Sequence, residues 1–376
     1  MKILIATDSF KDALSALEVG KAIGRGIQKV SDKIEVVLFP LGDGGEGTAE
    51  ILTWHSKGDW MKVKVHDPLL RLIDAGYGMA KDGETAFIEM AQASGLELLR
   101  KEERNCRYTS TFGTGELILD AVRRGAQYIV IGIGGSATND VGIGMAAALG
   151  YRFFDNKNTI VHPVGESLSN IETIDDREAA DLSQLNFTIL CDVDNPLFGP
   201  SGAVHTYARQ KGADAAAVEI LEQGVQHFSA VLANHFGKNY SDSKGAGAAG
   251  GLGAGAMAFL EAKLCSGIDF VLDYTDFERA LESADLVITG EGKIDEQTLH
   301  GKLIYGITRR ATKFNVPVIA FCGSLQASKA QIKAIGLQNA YQISDPSLSL
   351  KEAIASTAMN LECTAIHVLQ EFLRAN

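Results

Sequence analysis

The feature that most constrains this fold is an alternation of short apolar runs with amphipathic segments, in which the apolar runs end at loops rich in glycine and aspartate. Lys2–Thr7 is typical of a strand, and Ser15–Val30 is typical of a helix. Val19, Ile23 and Ile27 recur at a spacing of four along that helix, so they share one face. Strand, loop and helix follow one another again near the other end of the chain. This order predicts parallel strands joined by right-handed crossovers.

The other apolar runs extend this pattern and, in one region, interrupt it. Further strands are predicted at Glu35–Leu41, Lys62–Val65, Gly76–Met79, Thr85–Glu89, Tyr128–Ile133, Phe187–Cys191, Ala284–Thr289 and Val316–Cys322, and further helices at Leu117–Arg123, Ile143–Leu149, Ala215–Phe236, Lys302–Lys313 and Lys351–Leu373. Little helix separates the strands between residues 62 and 89. We therefore expect an α/β protein with one domain built from both chain ends, residues 1–68 and 285–376, and a second α/β domain, residues 69–284, inserted between them.

Composition narrows the class of protein. A chain of 376 residues is too long for one typical core, which also predicts two domains. The formal net charge of −12 argues against nucleic acid and anionic membranes as partners. Five cysteines without a CxxC pair favour a reducing cytoplasm, and the beginning of the chain lacks the apolar stretch of a signal peptide. With 40 glycines but only 7 prolines, many tight turns and close backbone approaches are expected.

Gly134–Asp140 is the best candidate for a phosphate-binding loop. It follows a predicted strand, precedes a predicted helix and offers the hydroxyl groups of Ser136 and Thr138, with no acidic residue before Asp140. Glycine allows backbone N–H groups to approach an anion, and a helix N-terminus favours negative charge. The alternative is a plain turn from strand to helix.

Two other glycine-rich segments have the same two interpretations. Gly113-Thr114-Gly115-Glu116 precedes a predicted helix and could bind phosphate, or Thr114 could simply cap that helix. Gly245–Gly255 contains no charged residue. We expect it to be a loop that lies over a ligand rather than a tightly packed helix, because each glycine inside a helix costs about 1 kcal/mol relative to alanine.

Acidic residues follow several predicted strands, where they can accept a proton or hold a divalent cation. Asp192 and Asp194 end an apolar strand, and such a carboxylate can have a raised pKa and act as a general base. The alternative, a cap on a turn, is the more common role of such a residue. The same type of position is occupied by Asp8 and Lys11, by Asp43 and Glu46, and by Glu291, Lys293 and Asp295.

Standard motifs of other enzyme classes are absent from the sequence or weak. There is no G-x-x-x-x-G-K-[ST] sequence of P-loop enzymes, no HExxH or Cys/His spacing for zinc, and no GxSxG nucleophile motif. The dinucleotide pattern G-x-G-x-x-[GA] is matched at Gly132/Gly134/Ala137, and Asp155 lies about 20 residues further on, where a ribose-binding acid would stand. An NAD(P)-dependent hydroxy-acid oxidoreductase therefore remains an alternative to an enzyme that handles phosphate.

Seven of these stretches, taken together, resemble the bacterial glycerate kinases of the two-domain, type-1 family, which is unrelated to P-loop kinases. They are Ile5–Lys11, Pro40–Thr48, Thr109–Leu117, Gly134–Asp140, Cys191–Leu197, Gly245–Gly255 and Ile288–Gly292. They occur in the family's order, and an ordered set is far more specific than one short match. Three positions depart from the family pattern: Lys293 replaces an expected arginine, Leu70 an expected glycine, and Leu303-Ile304 a sequence that contains proline.

The resemblance implies ATP-dependent, Mg²⁺-assisted phosphorylation of D-glycerate at the 2-hydroxyl, which gives 2-phosphoglycerate and ADP. It also implies a Rossmann-like parallel-sheet domain formed by both chain ends, an inserted α/β domain, and an active site in the cleft between them. D-Glycerate and ATP are then the expected partners, and a homodimer stays open. Phosphorylation at the 3-hydroxyl, an oxidoreductase, and a sensor that binds a sugar acid without turnover remain the alternatives.

The candidate residues of this kinase hypothesis divide by role. Asp192 is the expected general base, with Asp43 as its rival, and Lys293 supports the transferred phosphate. The predicted glycerate-binding residues are Asp8, Ser9, Lys11, Arg71, Glu291 and His300. The predicted ATP-binding residues are Gly113, Thr114, Gly134, Gly135, Ser136, Thr138, Gly250 and Gly251. Asp194 or Asp295 would reach Mg²⁺, either directly or through water.

Overall fold

The computed structural model describes residues 1–295, 298 and 303–375. The chain divides into two units, each with its own sheet and core. The terminal unit contains residues 1–43 and 268–376, and the central unit contains residues 44–267.

The elements have the following bounds. The strands are β1 (Lys2–Thr7), β2 (Glu35–Leu38), β3 (Asp59–His66), β4 (Leu72–Met79), β5 (Thr85–Glu89), β6 (Tyr128–Gly132), β7 (Arg152–Phe154), β8 (Thr173–Asp175), β9 (Asn186–Leu190), β10 (Lys263–Cys265), β11 (Leu286–Ile294), β12 (Val318–Leu325) and β13 (Asn339–Gln342). The helices are α1 (Ala16–Val30), α2 (Thr48–His55), α3 (Ala91–Ser94), α4 (Phe112–Arg123), α5 (Ile143–Ala148), α6 (Ala203–Tyr207), α7 (Ala215–Phe236), α8 (Ala248–Phe259), α9 (Gly267–Tyr274), α10 (Phe277–Leu281), α11 (Leu303–Lys313), α12 (Lys329–Ala334) and α13 (Leu350–Ala375).

The terminal unit is built on a five-stranded parallel sheet in the order β13-β12-β11-β1-β2. β1 lies between β11 and β2, with Ile5 opposite both Ile288 and Leu38. A strand that is paired along both edges and covered on both faces needs apolar side chains throughout, which explains the unbroken apolar run of β1. Both ends of the chain therefore contribute to one sheet.

Helices α1 and α13 pack against each other in the core of the terminal unit. Ser15 caps α1, because its hydroxyl accepts the Glu18 N–H while the Glu18 carboxylate accepts the Ser15 N–H. Gly26 allows the two helices to approach closely, since a Cβ there would lie 2.8 Å from the Cβ of Ala365. The apolar face predicted from Val19, Ile23 and Ile27 is fully buried.

The central unit is built on a six-stranded mixed sheet in the order β10-β9-β6-β5-β4-β3. The four strands β10, β9, β6 and β5 are parallel, while β4 and β3 extend the sheet as an antiparallel pair. Because β4 runs against β5, the turn from β3 to β4 lies at the same edge as the carboxyl ends of β5, β6 and β9. This carboxyl edge carries the loops on which the central unit's candidate site depends.

The division between the units differs from the predicted boundaries at residues 68 and 284. Residues 59–66 form β3, which pairs with β4 along its whole length, so they belong to the central unit. At the second boundary, α9 and α10 belong to the terminal unit. Arg310 of α11 joins them through ion pairs of 2.7 Å to Asp273 and 3.1 Å to Glu278. Long-range pairing of this kind is invisible in a local pattern.

The predicted fold class is confirmed. A Rossmann-like parallel sheet is formed by both chain ends, and a second α/β unit is inserted into it. Across the described ranges, no helix combines the length and the apolar character needed to cross a bilayer.

Candidate functional site

Carboxylates of the terminal unit gather at the carboxyl ends of its central strands. Asp8 directly follows β1, and its backbone N–H donates to the carbonyl of Gly290 in β11 over 3.0 Å. The N–H of Leu41 donates to the last carbonyl of β1, also over 3.0 Å, and so brings the loop before Asp43 to this edge. Because parallel strands end at one edge of a sheet, Asp8, Asp43 and Glu291 form a single cluster, which we call the acidic group.

The acidic group shifts the protonation of Asp8. The pKa of Asp8 is raised to about 8, first by burial and then by the nearby carboxylates of Asp43 and Glu291. The Ser9 N–H, which donates to Asp8 Oδ1 over 2.7 Å, opposes this rise. Asp8 is therefore mostly protonated at pH 7, and the acidic group carries less negative charge than its three side chains suggest.

Glu291 is held from inside the terminal unit. It is buried, and its carboxylate accepts a hydrogen bond of 2.7 Å from the Thr298 hydroxyl. A buried carboxyl group that accepts from a fixed hydroxyl donor is oriented rather than mobile. His300, which was predicted to bind substrate, lies outside the described residues.

Two predicted lysines lie at the same edge of the terminal sheet. The half-exposed Lys293 projects from β11 and forms an ion pair of 2.8 Å with Asp295. The backbone of Lys11 passes beside Gly292, since a Cβ added to Gly292 would lie 3.8 Å from the Lys11 nitrogen. Lys293 thus brings a positive charge to the edge of the sheet that also carries the acidic group, a combination that suits an anionic substrate.

Asp192 follows β9 at the carboxyl edge of the central sheet. It is exposed, and its Oδ1 accepts the Gly267 N–H over 2.9 Å. Gly44 also lies beside this carboxylate, because a Cβ there would be 3.6 Å from Oδ2. Asp192 is thus exposed at the end of its apolar strand, with the backbone of Gly44 and Gly267 beside its carboxylate. An exposed carboxylate oriented by a backbone N–H can still accept a proton from a bound hydroxyl.

The predicted phosphate loop, Gly134–Asp140, follows β6 at the same edge. Gly134 and Gly135 are exposed, and Gly135 has a φ of +71°, which favours glycine. Behind them, the Thr109 hydroxyl donates to the Ala137 carbonyl over 2.9 Å. The exposed glycines therefore rest on a fixed support, which is the arrangement that an anion-binding loop needs.

The helix after this loop does not supply the anion site that we expected. α5 has only six residues, Ile143–Ala148, so its dipole is small. The buried carboxylate of Asp140 accepts the N–H groups of Gly142 and Gly144 over 3.1 and 3.2 Å, and that of Thr111 over 2.8 Å. Asp140 thus occupies the donors at the start of α5, and the exposed part of the loop is the backbone of Gly134 and Gly135.

Sequence reasoning missed Lys211, which lies beneath the loop. Its ammonium group is buried, and it donates to Ser136 Oγ over 2.6 Å and to the Thr138 carbonyl over 2.7 Å. No local signal marks it, because the contacts join positions more than 70 residues apart.

Glu89 is a second residue that sequence reasoning missed. It ends β5, is buried, and accepts the Ala49 N–H over 2.8 Å at the start of α2. Burial raises its pKa to about 7, against the backbone N–H groups of Ala49 and Gly47. Its position at the end of a predicted strand was a usable signal, since polar residues at that place commonly serve sites in α/β sheets.

Gly113 and Thr114 lie inside α4 rather than on a ligand loop. Both are buried, and a Cβ on Gly113 would overlap the carbonyl oxygen of His66. The Thr114 hydroxyl shares a hydrogen bond of 2.7 Å with the Ser94 hydroxyl. Their surroundings favour a packing role, because Gly113 packs against the His66 carbonyl and the Thr114 hydroxyl is hydrogen-bonded to Ser94.

The Gly245–Gly255 segment is irregular in its first half, as expected of a loop, and helical in its second half: residues 245–247 form a turn, and α8 is regular only from Leu252. Ala249, Gly250 and Gly251 have φ values of 52°, 68° and 89°, so α8 changes direction there. A Cβ on Gly250 would overlap the Thr138 carbonyl, and the Val141 N–H donates to the Gly250 carbonyl over 3.1 Å. The glycines support the underside of the 138–141 backbone.

Arg71 lies in the turn from β3 to β4, at the carboxyl edge, but it is already paired. Its Nε donates to Asp67 Oδ2 over 2.6 Å, and its Nη1 donates to Glu103 Oε1 over 2.9 Å. These two bonds use two of its five N–H donors and half of its side chain is exposed, so Arg71 can still donate to an external carboxylate.

The oxidoreductase alternative finds no support in this geometry. Asp155, the candidate ribose-binding acid, accepts the N–H groups of Lys157 and Thr159, each over 2.8 Å, within the β7–β8 connection. A dinucleotide would also need donors at the start of α5, and Asp140 occupies them.

The predicted metal ligands each lie beside a lysine. Asp194 is exposed and pairs with Lys244 over 3.3 Å, as Asp295 pairs with Lys293. Among the residues that the structure describes, no three His, Cys, Asp or Glu side chains, those of the acidic group included, are arranged to hold a metal ion by themselves. These residues fit Mg²⁺ only if phosphate oxygens and water complete its coordination, which is how Mg²⁺ commonly binds with a nucleotide.

Comparisons with known proteins agree with this fold over its full length. The model of the glycerate kinase family matches residues 3–373. A glycerate kinase of Bacillus cereus is 44% identical over 98% of this chain and 97% of its own length. A glycerate 2-kinase of Escherichia coli is 41% identical over 96% and 95%. The crystal structure of a Salmonella typhimurium LT2 protein, provisionally assigned as glycerate kinase 2, is 40% identical and superposes with a TM-score of 0.91 over 100% and 99%. This chain therefore belongs to the glycerate kinase family.

Proposed function

We propose that this protein is an ATP-dependent kinase that phosphorylates D-glycerate at the 2-hydroxyl group and releases 2-phosphoglycerate and ADP. The observation that carries the proposal is the carboxyl edge of the central sheet, where the exposed glycines of the 134–140 loop and the carboxylate of Asp192 end neighbouring strands. Family membership across both units supports the reaction class. The name of the Escherichia coli relative, glycerate 2-kinase, supports the choice of hydroxyl.

In the proposed reaction, the 2-hydroxyl oxygen of glycerate forms a bond to the γ-phosphorus of ATP. The bond from that phosphorus to the β–γ bridging oxygen breaks, and its electron pair leaves with ADP. Asp192 accepts the hydroxyl proton, with Asp43 as its rival for this role. Mg²⁺ bound to the nucleotide would neutralise phosphate charge, with Asp194 or Asp295 reaching it directly or through water.

Binding of the two substrates is assigned to different residues. We assign the ATP phosphates to the N–H groups of Gly134 and Gly135 and to the hydroxyl groups of Ser136 and Thr138. The glycerate carboxylate is assigned to Lys11 and Lys293, beside the protonated Asp8 and beside Ser9 and Glu291. A neutral Asp8 can donate a hydrogen bond to an anion, whereas an ionised one would repel it.

The product of the reaction tests the proposal directly. Purified protein is incubated with ATP, Mg²⁺ and D-glycerate, ADP is measured by a coupled assay, and the phosphate position is read by ³¹P–¹H NMR. We expect ADP release that requires both D-glycerate and Mg²⁺, and a phosphate coupled to the single proton on carbon 2. A phosphate coupled to the two protons on carbon 3 would establish the 3-kinase alternative, and ligand binding without ADP would establish the sensor.

Asp192→Asn tests the general base. General acid–base catalysis contributes about 10²–10⁴-fold, so we expect kcat to fall at least 100-fold while the KM values stay within about threefold. Asp242→Asn, at an exposed position of the central unit, is the matched control and should keep full activity. A loss below tenfold in Asp192→Asn would exclude this residue as the base and move the assignment to Asp43, whose own asparagine variant is then decisive.

A further inference from the structure

The buried ammonium group of Lys211 is a feature of the central unit that the mechanism above leaves unused. Lys211 is only 2% exposed, although lysine is among the residues least often buried. Removing its charge from water is costly unless hydrogen bonds or an opposite charge compensate. Two of its three donor positions are directed at the 134–140 loop, at Ser136 Oγ and the Thr138 carbonyl. A buried charge fixed to a ligand loop favours a role in that loop's function.

The backbone that carries Lys211 is fixed in place. Lys211 ends the 3₁₀ turn Arg209–Lys211, and its carbonyl accepts the Cys106 N–H over 3.1 Å. The next residue, Gly212, has a φ of 89°, and a Cβ there would overlap the Arg104 carbonyl. The ammonium group is therefore held by a packed turn beneath the loop and not by a flexible side chain reaching in from solvent.

The chemistry of lysine dictates the direction of the hydrogen bonds. An ammonium group can only donate, so Ser136 Oγ accepts from Lys211. The hydroxyl proton of Ser136 must then point to another acceptor. Phosphate oxygens accept hydrogen bonds and, when fully ionised, cannot donate them, so a serine committed to donating matches them. Thr138 Oγ1 is buried without a hydrogen-bond partner among the described residues. The loop therefore has a second hydroxyl group that a bound ligand could satisfy.

The charges around Lys211 allow it to support an anion. Burial lowers the pKa of Lys211 to about 8, and the nearby Cys106 and Asp140 oppose this effect. The Asp140 carboxylate is already bound to the N–H groups of Thr111, Gly142 and Gly144, so it neutralises the ammonium group only in part. Lys211 is thus mainly charged at pH 7, and a bound anion would raise its pKa further.

We propose that Lys211 is a positioning residue for the nucleotide: its ammonium group donates to Ser136 Oγ, turns the Ser136 proton towards a phosphate oxygen, and adds a fixed positive charge beneath the loop. This inference rests on the proposed function, in which the 134–140 loop binds the phosphates of ATP. P-loop enzymes place a lysine next to their glycine-rich loop, and this sequence lacks that motif. Lys211 would supply the corresponding positive charge from a turn that is distant in sequence.

A double-mutant cycle tests the proposal. Lys211→Met, Ser136→Ala and the double variant are compared with the unaltered protein, and Lys157→Met, an exposed lysine of the same unit, is the control. Each single variant should raise the KM for ATP by about tenfold, with the KM for glycerate changed less than twofold. The double variant should be no worse than Lys211→Met, because the lysine acts through the serine. Additive effects, or an unchanged KM for ATP in Lys211→Met, would overturn the proposal.

A second measurement keeps the proposal testable if Lys211→Met does not fold, which thermal denaturation shows. In the unaltered protein the KM for ATP should rise above pH 8, since a neutral amine can accept the Ser136 proton and so withdraw it from the phosphate. In Ser136→Ala this pH dependence should be weaker, because only the loss of the positive charge remains, and a dependence that persists unchanged would contradict the role of Lys211.

The two levels of inference fail in different ways. If Ser136→Ala leaves the KM for ATP unchanged in an active kinase, the assignment of the loop to ATP is wrong. If Ser136→Ala raises it but Lys211→Met does not, only the role of Lys211 is wrong. If no glycerate-dependent ADP forms at all, the proposed function fails, and binding of ATP measured by calorimetry still tests whether Lys211 and Ser136 act together.

Discussion

At the scale of single residues, the unusual property of the terminal unit is the raised pKa of Asp8. Its pKa is raised from 3.8 to about 8, so the folded protein keeps a proton that the unfolded chain releases. The free energy of unfolding must therefore fall as pH rises through this window, because the folded state binds more protons. Its protonated form suits an anionic substrate, and its ionised form opposes one.

Asp8→Asn should remove this pH dependence. Asparagine stays neutral, so the difference in melting temperature between the variant and the unaltered protein should grow by at least about 3 °C in the variant's favour between pH 6 and pH 9. At saturating ATP, the KM for glycerate should rise about fivefold over this range in the unaltered protein, because ionised Asp8 repels the substrate. In the variant the KM should stay nearly constant. Calorimetry and initial rates measure the two effects.

Asp12→Asn is the control for Asp8→Asn, because Asp12 is an exposed carboxylate of the same loop. It should follow the unaltered protein at every pH. If Asp8→Asn shows the same pH profile as Asp12→Asn, the acidic group does not hold the proton of Asp8 in the way described.

The positions of site residues could be predicted where the residue adjoins a strand that the sequence itself predicts. Asp8 and Asp192 follow apolar runs, and in the structure Asp8 comes directly after β1 and Asp192 two residues after the end of β9. Lys211 could not be found in this way, since its partner Ser136 is distant in sequence and meets it only in the folded chain. Gly113 shows the converse problem. Composition does not distinguish a glycine that approaches a ligand from one that admits a neighbouring carbonyl group.

At the scale of elements, the kink in α8 shows how one helix fixes the underside of a loop. Gly250 has a left-handed backbone, and its missing side chain makes room for the Thr138 carbonyl. A residue with a Cβ would meet both a conformational penalty and a clash. The position of the 134–140 loop therefore depends on a glycine that is buried beneath it.

Gly250→Ala should be severely destabilising, because alanine there has both a strained backbone and a clash with the Thr138 carbonyl. Gly237→Ala separates these two causes. Gly237, after α7, has a φ of 66° against 68° for Gly250, but a Cβ there would meet no atom within 4 Å. Gly237→Ala should thus cost only the backbone penalty of about 1–2 kcal/mol, a few degrees in melting temperature. Gly250→Ala should lose at least about twice as much, or fail to accumulate as soluble protein.

Thermal denaturation of the two alanine variants decides this point. Equal losses would show that the backbone conformation accounts for the whole effect and that the 138–141 backbone can move away from α8. The support of the loop by the kink would then have to be abandoned.

Elements with a strong local pattern could be predicted, and elements created by pairing could not. The helix predicted at Ala215–Phe236 has those bounds in the structure. The strand predicted at Glu35–Leu41 ends at Leu38, although the N–H groups of Phe39 and Leu41 still donate to the carbonyls of Ile5 and Thr7 in β1. The glycine count predicted a loop at Gly245–Gly255, and the backbone is irregular through Gly251. Only from Leu252 does tertiary packing override the low helix propensity of glycine. The short β7–β8 pair had no periodicity long enough to detect.

At the scale of the whole molecule, the central unit is a continuous segment whose two ends meet. A Cβ on Gly44 would lie 2.7 Å from the Cα of Gly267, and these are the first and last residues of the unit. It also has its own sheet and its own apolar core. A segment with adjacent ends and a separate core meets the requirements for independent folding.

We expect a fragment of residues 44–267 to fold alone. Both tryptophans of the chain, Trp54 and Trp60, lie in this segment, so their fluorescence reports on its unfolding in the fragment and in the full chain. The fragment should unfold in urea in one cooperative transition. A gradual change in fluorescence without a transition would show that the central unit needs the terminal unit to fold.

A second fragment, residues 1–267, is the control, since it adds β1 and β2 without their partner β11. It should show the same transition as residues 44–267 and no additional one by circular dichroism. A second transition would mean that residues 1–43 fold without the other end of the chain.

The overall architecture could be predicted because alternation of strands and helices restricts topology strongly. The two-unit arrangement with both chain ends in one sheet followed from that pattern and from the resemblance to a known family. The boundaries could not be placed, since they depend on whether β3 pairs with β4 and on the ion pairs of Arg310. Such contacts join segments that no local window contains.

The position of β1 has a consequence for folding during synthesis on the ribosome. β1 is the first strand to be synthesised, yet one of its two neighbours, β11, begins only at Leu286. At a translation rate of about 5–20 residues per second, one edge of the apolar strand β1 stays unpaired for roughly 15–60 s. The central unit can complete its own core within that interval. Nascent chains should therefore be most vulnerable to chaperone capture or aggregation through β1, and slower translation should lengthen that exposure.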